Sequence, residues 1–450
     1  MTKVAVLDIG KTNLKVALVD LETLSEIAVE TAPNRVDATG PWPHFDVPAQ
    51  RDFLFKGLRK LALSHSIDAI SVTTHGACAA LLDGAGNLAA PVLDYEFTGP
   101  DLLRRDYDAI RPAFAETGSP SLPMGLNLGA QLHYMLATDA SLRGRLSCVV
   151  TWPQYWGYLL TGNLACDLSS LGCHTDLWNP HNGQWSTLVS KLGIASAMAP
   201  PRKATDLLGT LRPDCQRELG LGTVPVYVGI HDSNASLLPH LRNQPRPFSV
   251  VSTGTWVISM AIGGRAENLD PSRDTLINVD AFGSSVPSAR FMGGREYALI
   301  SAGRTLTCSD EDEAAVLTKR VMLMPSVVSD CGPFPDLKHE WTSPPASDGE
   351  LAAALGYYLA LMTAECLKNI GAEGPAVVEG PFAQNRQYLE MLATATGREV
   401  QTSSARTGTA IGAAMLCAGQ LARTSPRLWV PPSSQHLDYA RLWQERVNER

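Results

Sequence analysis

Long apolar runs are missing from this 450-residue chain. No stretch approaches the ~20 consecutive apolar residues that cross a bilayer as a helix. The opening MTKVAVLDIG lacks the apolar core of a secretory signal. A membrane protein is not expected, and the reading is cytoplasmic. Cysteines are few and unpaired in pattern: there are 9, an odd number, with no CxxC. That argues against a disulfide framework and for reduced thiols. Cys166, Cys173 and His174 lie close together but lack a second pair at zinc spacing. Positive charge is also short. Lys+Arg total 37 against 45 Asp+Glu, a net charge of -8, which repels a nucleic-acid backbone but leaves room for a small phosphate site. No GxGxxG follows the first strand pattern, so a Rossmann dinucleotide site is not supported. Gly10-Lys11-Thr12 mimics the end of a P-loop, but Ala5 stands where its first glycine belongs, and a strand pattern follows rather than a helix.

What remains suits a globular α/β protein. The chain is 45% hydrophobic and 18% charged, enough for a packed core, and its length accommodates two large domains. Val4–Leu7 is an apolar run ending at Asp8, and Leu14–Val19 is a second run ending at Asp20. Between them, Gly10, Lys11, Thr12 and Asn13 form a polar turn. Turn amides, lysines such as Lys11 and Lys15, and hydroxyls suit phosphate oxygens. Asp8 at the strand end suits a metal ion held through water. An ordinary hairpin with a solvated lysine remains an open alternative. The pattern returns in FSVVSTGTWVISMAI, Phe248–Ile262, where Thr253, Gly254 and Thr255 occupy the turn. Two such units, each opening about half the chain, point to a duplicated architecture whose turns clamp one nucleotide.

These segments resemble the FGGY family of carbohydrate kinases, within the sugar kinase/actin-like ATPase superfamily. Asp8 to Lys15 is similar to its first phosphate motif and Ser252 to Trp256 to its second. VYVGIHDSNAS, Val226–Ser236, resembles the segment bearing the catalytic aspartate. VVEGPFAQN, Val377–Asn385, resembles the adenosine segment. The His-Asp pair and the S-x-G-T-W turn are most similar to those of rhamnulokinases and fuculokinases. The resemblance implies two actin-like (ribonuclease H-like) ATPase domains, 1–242 and 243–450, flanking a central cleft. It also implies ATP and magnesium ion as cofactors. The implied substrate is a ketose or deoxyketose such as L-rhamnulose, L-fuculose or a pentulose.

In the N-terminal half, apolar spacing over Phe53–Ala62 predicts a helix. Ile67–Thr73 and Ala77–Leu82 predict strands, with Asp83–Asn87 as a turn and Leu88–Leu93 returning as a hairpin. That pairing makes His75 and Asp94 neighbours in a polar cluster with Gly76, suited to sugar hydroxyls; a structural histidine is the alternative. Deoxyketose kinases tend to carry Asp where Cys78 stands. Trp152, Tyr155, Trp156 and Tyr158 read as core. Val224–Ile230 reads as a buried strand, with His231-Asp232 at its end and a helix beginning at Ser233. Asp232 alone reads as a helix N-cap. The resemblance makes it the general base that takes the proton of the attacking sugar hydroxyl, and a substrate contact as well.

In the C-terminal half, Asp348 is expected to cap a helix reaching about Ile370, and Pro375–Val378 to be a strand. A helix is expected from Arg386, closed by Gly397, and another over Thr409–Leu421 after Gly408. Gly380, Asn385 and Gly408 are the expected nucleotide contacts. The family usually shows a triple glycine where this chain has Glu379-Gly380-Pro381-Phe382. Cys331–Gly349 and Ser425–Ser434 read as surface loops and Tyr439–Arg450 as a solvated helix face. A sugar and ATP are the expected partners, with no nucleic acid and no membrane; a homodimer is compatible with the chain. Two other classes compete: an actin-like ATP-driven conformational protein, and a sugar-binding regulator without kinase activity. The first would lack the sugar cluster and base. The second would often carry a DNA-binding module, and none is expected before Val4.

Overall fold

The computed structural model describes residues 2–402, 408–418, 429–430 and 434–450. The chain forms two compact units. The first holds residues 2–242 and 277–285 together with the helix Thr409–Met415. The second holds 243–276, 286–402 and the helix Ser434–Asn448.

Each unit is built on a mixed sheet. In the first, β1 (Lys3–Ile9) pairs antiparallel with β2 (Asn13–Asp20) and parallel with β3 (Ala69–Thr74). In the second, β4 (Phe248–Thr253) pairs antiparallel with β5 (Val257–Ile262) and parallel with β6 (Ala376–Glu379). The central strands are continuous apolar runs because both faces are covered; Val4, Ala5 and Val6 are fully buried, as are Val250 and Val251. The two strand–turn–strand segments therefore hold the same place in two sheets. Asp8 lies opposite Lys15 in β2 and Thr73 in β3.

Helices cover the sheets. Val47–Ser64 is capped by Asp46, which accepts from Ala49 N at 3.0 Å, and buries Leu54, Leu58 and Leu61. Gly412, in the helix Thr409–Met415, lets that helix approach Asp232–Asn243. A Cβ there would lie 1.8 Å from the Ala235 carbonyl. Asp348–Asn369 is capped by Ser347, not by Asp348, which is instead the first helical residue and pairs with Arg304. This helix is long and apolar enough to cross a membrane by length and composition, contrary to the reading that no run comes close. It is 89% buried within the protein and serves as the core helix of the second unit.

Three other expectations change. Ala79–Leu82 pairs with Cys148–Thr151, not with residues 88–93, which meet it in a single Leu82–Leu88 bridge and otherwise bridge His44 through Leu93. The strand at 224–230 is two pieces, Pro225–Tyr227 and Ile230–His231. Gly229 breaks it at φ +89°, against the Val72 carbonyl. The terminal helix Ser434–Asn448 is amphipathic rather than solvated: Tyr439, Trp443 and Val447 are buried. Trp152, Tyr155 and Trp156 pack as core, with ring centroids 5.2–5.5 Å apart. The helix expected over Thr409–Leu421 is described to Met415. Its end at Leu421 and most of the loop Ser425–Ser434 lie outside the described residues.

Candidate active site

In the first unit, the ends of β1 and β3 gather a polar cluster. His75 follows β3, and its amide donates to the Ile9 carbonyl at 3.1 Å. The imidazole lies against Phe45 at 5.0 Å and Tyr95 at 5.3 Å, centroid to centroid. Its Nδ1 lies 2.9 Å from the Gly76 carbonyl, which can only accept, so the proton sits on Nδ1. Burial holds the ring below the usual histidine range and hence neutral. Nε2 is then a bare acceptor, buried and without a hydrogen-bond partner among the described residues. Asp94 joins this cluster through Lys11, whose ammonium pairs with the Asp94 carboxylate and lies 3.2 Å from Glu96. The same ammonium sits over the rings of Phe45 and Tyr95, at 5.2 and 5.0 Å. His75 and Asp94 are thus brought into one group, by a route other than the expected hairpin. The Cys78 thiol faces the Leu93 carbonyl at 3.6 Å, and burial pushes it up.

Asp232 opens the helix Asp232–Asn243 as its first residue, not as a cap before it. Its Oδ1 accepts from Ser233 N at 2.6 Å and lies 3.1 Å from His231 Nε2. The carboxylate is about one-third exposed. His231 Nε2 also lies 3.9 Å from the Cys173 sulfur, while Nδ1 is buried without a partner. Burial opposes a charged Cys173, but His174 and His231 outweigh it and hold the thiol below its ordinary range. Gly76 makes this packing possible: a Cβ there would stand 2.8 Å from His231 Nε2. Gly76 therefore seats His231 beside Asp232.

On the turn between β1 and β2, Thr12 and Asn13 are exposed. Gly10 N donates to the Asn13 carbonyl at 2.9 Å, closing the turn. Lys15 is held by Glu26 at 2.9 Å and lies 3.6 Å from Asp8. Burial, helped by the nearby Asp232 and opposed by Lys15, pushes the Asp8 carboxyl up to about 6.

In the second unit, the turn between β4 and β5 opens on a cavity of about 870 Å³. Gly254, Thr255, Arg295, Tyr297, Phe382 and Asn385 are among its lining residues. Gly254 and Thr255 are exposed. The Thr253 hydroxyl is already committed, donating to Glu379 O at 2.6 Å and accepting from Phe382 N at 3.1 Å. Asn385 caps Arg386–Thr396, accepting from Tyr388 N at 3.0 Å. Gly380 does not line the cavity. It makes the close turn at φ +84°, where a Cβ would meet Thr253 O at 2.0 Å. Gly408 lies in the first unit, preceding Thr409–Met415, where an added Cβ would stand 3.8 Å from Glu26 Oε1.

Two family profiles account for most of the chain. The N-terminal domain of the FGGY family of carbohydrate kinases matches residues 4–239, and the FGGY carbohydrate kinase C-terminal domain matches 245–425. The chain belongs to the FGGY family of carbohydrate kinases. A crystal structure of a carbohydrate kinase from Novosphingobium aromaticivorans is 34% identical with a TM-score of 0.93, over 100% of this chain and 99% of that one. An L-fuculokinase from Salmonella typhi is 26% identical over 273 residues. That match spans 59% of this chain and 57% of the relative, so the chain aligns with little more than half the length of the curated relative. A Plasmodium falciparum glycerol kinase with ADP, 13% identical, has a TM-score of 0.79 over 100% of this chain and 98% of that one, a likeness of fold alone. The fold is the two-domain, actin-like α/β fold of FGGY sugar kinases.

Sequence reasoning missed Phe45 in the FGGY N-terminal domain and Arg295 and Tyr297 in the C-terminal one, and weighed Cys173 only as a zinc ligand. Tyr95 was visible only as the residue between Asp94 and Glu96. Phe45 lies in a two-residue strand, His44–Phe45, which gives no periodic signal.

Proposed function

We propose that the protein transfers the γ-phosphoryl group of ATP to a hydroxyl of a ketose-like sugar, with Asp232 as the general base. The observation that carries this reading is the bare, buried Nε2 of His75 in the same cluster as Asp94. A buried acceptor without a donor is costly, and a sugar hydroxyl supplies that donor. Asp94 accepts a second hydroxyl. Asp232, about one-third exposed, accepts the proton of the reacting hydroxyl as its oxygen attacks phosphorus and ADP departs. The exposed Thr12, Asn13, Gly254 and Thr255 offer donors to phosphate oxygens, and the 870 Å³ cavity suits the nucleoside.

Asp8 fits a magnesium ion held through water, since its carboxyl is buried, raised and close to a second carboxylate. Magnesium would neutralise the negative charge that builds on the transferred phosphoryl group. L-Fuculose, L-rhamnulose and pentuloses are the sugars to test first, from the fuculokinase and xylulose kinase names among the similar proteins. The test is ADP release by the purified protein across these sugars and polyols. Turnover that requires one of them supports the reading. ATP hydrolysis indifferent to every sugar would instead point to an ATP-driven conformational protein.

A further inference from the structure

The turn that resembles a phosphate motif has a side chain facing the other way. Lys11 sits between Gly10 and Thr12, where a phosphate-binding cation is expected, yet its ammonium is directed to the sugar cluster. Four groups hold it there: the Asp94 carboxylate, Glu96 at 3.2 Å, and the faces of Phe45 and Tyr95. Its side chain is only 17% exposed and that of Asp94 only 9%. Swinging Lys11 out to a phosphate would strip the cation from two aromatic faces and leave a mostly buried carboxylate unpaired, which is strongly unfavourable.

We propose that Lys11 is a sugar-side selectivity residue, which fixes Asp94 and Glu96 to receive substrate hydroxyls and restricts the site to uncharged sugars. This rests on the kinase reading above. Asp94 can hold one geometry because its Oδ1 is pinned from two sides, by Lys11 and by the Glu96 amide at 3.2 Å. Oδ2 then remains available to a hydroxyl. Phe45 and Tyr95 flank both Lys11 and His75, so the lysine and the bare His75 nitrogen belong to one wall.

Charge supplies the selectivity. Around this wall and the adjoining turn stand Asp8, Glu26, Asp94, Glu96 and Asp232. Lys11, Lys15 and His231 are the cations paired with them; burial opposes a charged His231, but Cys173 and Asp232, the latter 3.1 Å from its Nε2, outweigh it and hold the ring charged and engaged. Lys11 is neutralised by two carboxylates and Lys15 by Glu26 and Asp8. A sugar acid brings one more negative charge to a region where, among the described residues, each of these cations is already engaged by an anion. A neutral polyol brings only donors and acceptors, which these carboxylates and His75 Nε2 can satisfy.

The experiment is calorimetric binding to the wild-type protein and to Lys11→Met, which keeps the stem and removes the charge. The probes are L-fuculose, L-rhamnulose, xylulose and gluconate without nucleotide, and ADP without sugar. The expected result is a loss of at least tenfold in affinity for the best neutral sugar, with ADP affinity unchanged within twofold. Gluconate should bind the wild type weakest of the four. Lys11→Gln, which keeps a hydrogen-bond donor towards Asp94 but removes the charge, is the second variant if Lys11→Met does not fold. It should show the same sugar loss with ADP unchanged. Weakened ADP binding, with or without a sugar effect, would overturn the proposal. So would unchanged affinity for both ligands, or gluconate binding more tightly than the neutral sugars. A wild type with sugar-dependent turnover whose Lys11→Met variant loses only ADP sinks this proposal and leaves the kinase reading intact. A wild type that binds none of the sugars sinks both.

Discussion

The two strand–turn–strand segments share a frame and differ in what they carry. In both turns the glycine amide donates forward at 2.9 Å, from Gly10 to the Asn13 carbonyl three residues on and from Gly254 to the Trp256 carbonyl two residues on. Around the first, charged side chains dominate, with Lys11, Asp94, Glu96, Lys15, Asp8 and Glu26 in ion pairs. Around the second, backbone and hydroxyl contacts dominate. Thr253 ties β4 to the Glu379–Phe382 segment, and Arg295 N reaches Thr255 O at 3.4 Å. Charge with adjustable side chains suits selecting and deprotonating a substrate. A braced backbone suits holding a large, invariant ligand. On the proposed function, the duplicated frame divides labour by what is placed on it: sugar recognition and proton transfer in the first unit, nucleotide binding in the second.

The largest effect expected is confined to the first unit. Asp232→Asn keeps an oxygen to accept from Ser233 N, so the helix start survives. It removes the proton acceptor. Turnover should fall ~10²-fold or more, with melting temperature nearly unchanged and ADP binding intact. Asp232→Ala should lose the same activity and also about 1 kcal/mol of stability with the lost hydrogen bond. Steady-state kinetics and calorimetry on both variants decide it. An Asp232→Asn enzyme within a few-fold of wild type would remove the catalytic half of the comparison.

Two glycines should separate the units next. Gly380→Ala places a methyl 2.0 Å from Thr253 O at a backbone φ of +84°. Strain of ~1–3 kcal/mol is expected, because backbone must shift beside the second turn. The KM for ATP should rise about tenfold while that for sugar stays level. Gly76→Ala meets a side chain instead, at 2.8 Å from His231 Nε2. An imidazole can give way more easily than a carbonyl. The expected result is a smaller loss, a several-fold drop in kcat, with the KM for ATP unchanged. If each glycine disturbs both substrates equally, the division of labour fails.

Much of this was legible where the signal is local. Buried central strands read as apolar runs, and both glycine turns read as breaks, so the two related sheets could be anticipated from Val4–Asp20 and Phe248–Ile262. Non-local pairing could not. Leu88–Leu93 has the composition of a returning strand, but Ala79–Leu82 found its partner in Cys148–Thr151, more than sixty residues on. The break at Gly229 was hidden because its apolar neighbours carry the strand pattern straight through it. At the site, His75, Asp94 and Lys11 were identifiable by type, but not the direction of Lys11. That direction is set by a carboxylate 83 residues away and by Phe45, which has no motif around it.

The smallest effect concerns what stabilises the second unit, and it appears only in acid. Glu313, on the helix Asp310–Lys319, accepts from the Tyr357 hydroxyl at 2.6 Å. It pairs with Arg386 at 2.7 Å and lies 3.0 Å from His436 Nε2, so one carboxylate joins four helices. Burial works against its charge, but the hydrogen bonds from His436 and Tyr357, together with Arg386, outweigh it and hold the carboxyl at about 2. An unfolded glutamate titrates near ~4.3. The folded value is the lower one, so the charged form is favoured by folding. Its contribution is full above the unfolded value and is lost as pH falls from about 4.3 towards 2. Glu313→Gln cannot titrate. It should melt a few degrees below wild type at neutral pH, and the gap should narrow steadily as pH is lowered towards 3. Sugar binding, proposed for the first unit, should be the same in both proteins at neutral pH. Melting curves from pH 7 to 3 measure this directly. A gap that stays constant across that range would mean that Glu313 acts through its shape, and that the second unit does not depend on this charge.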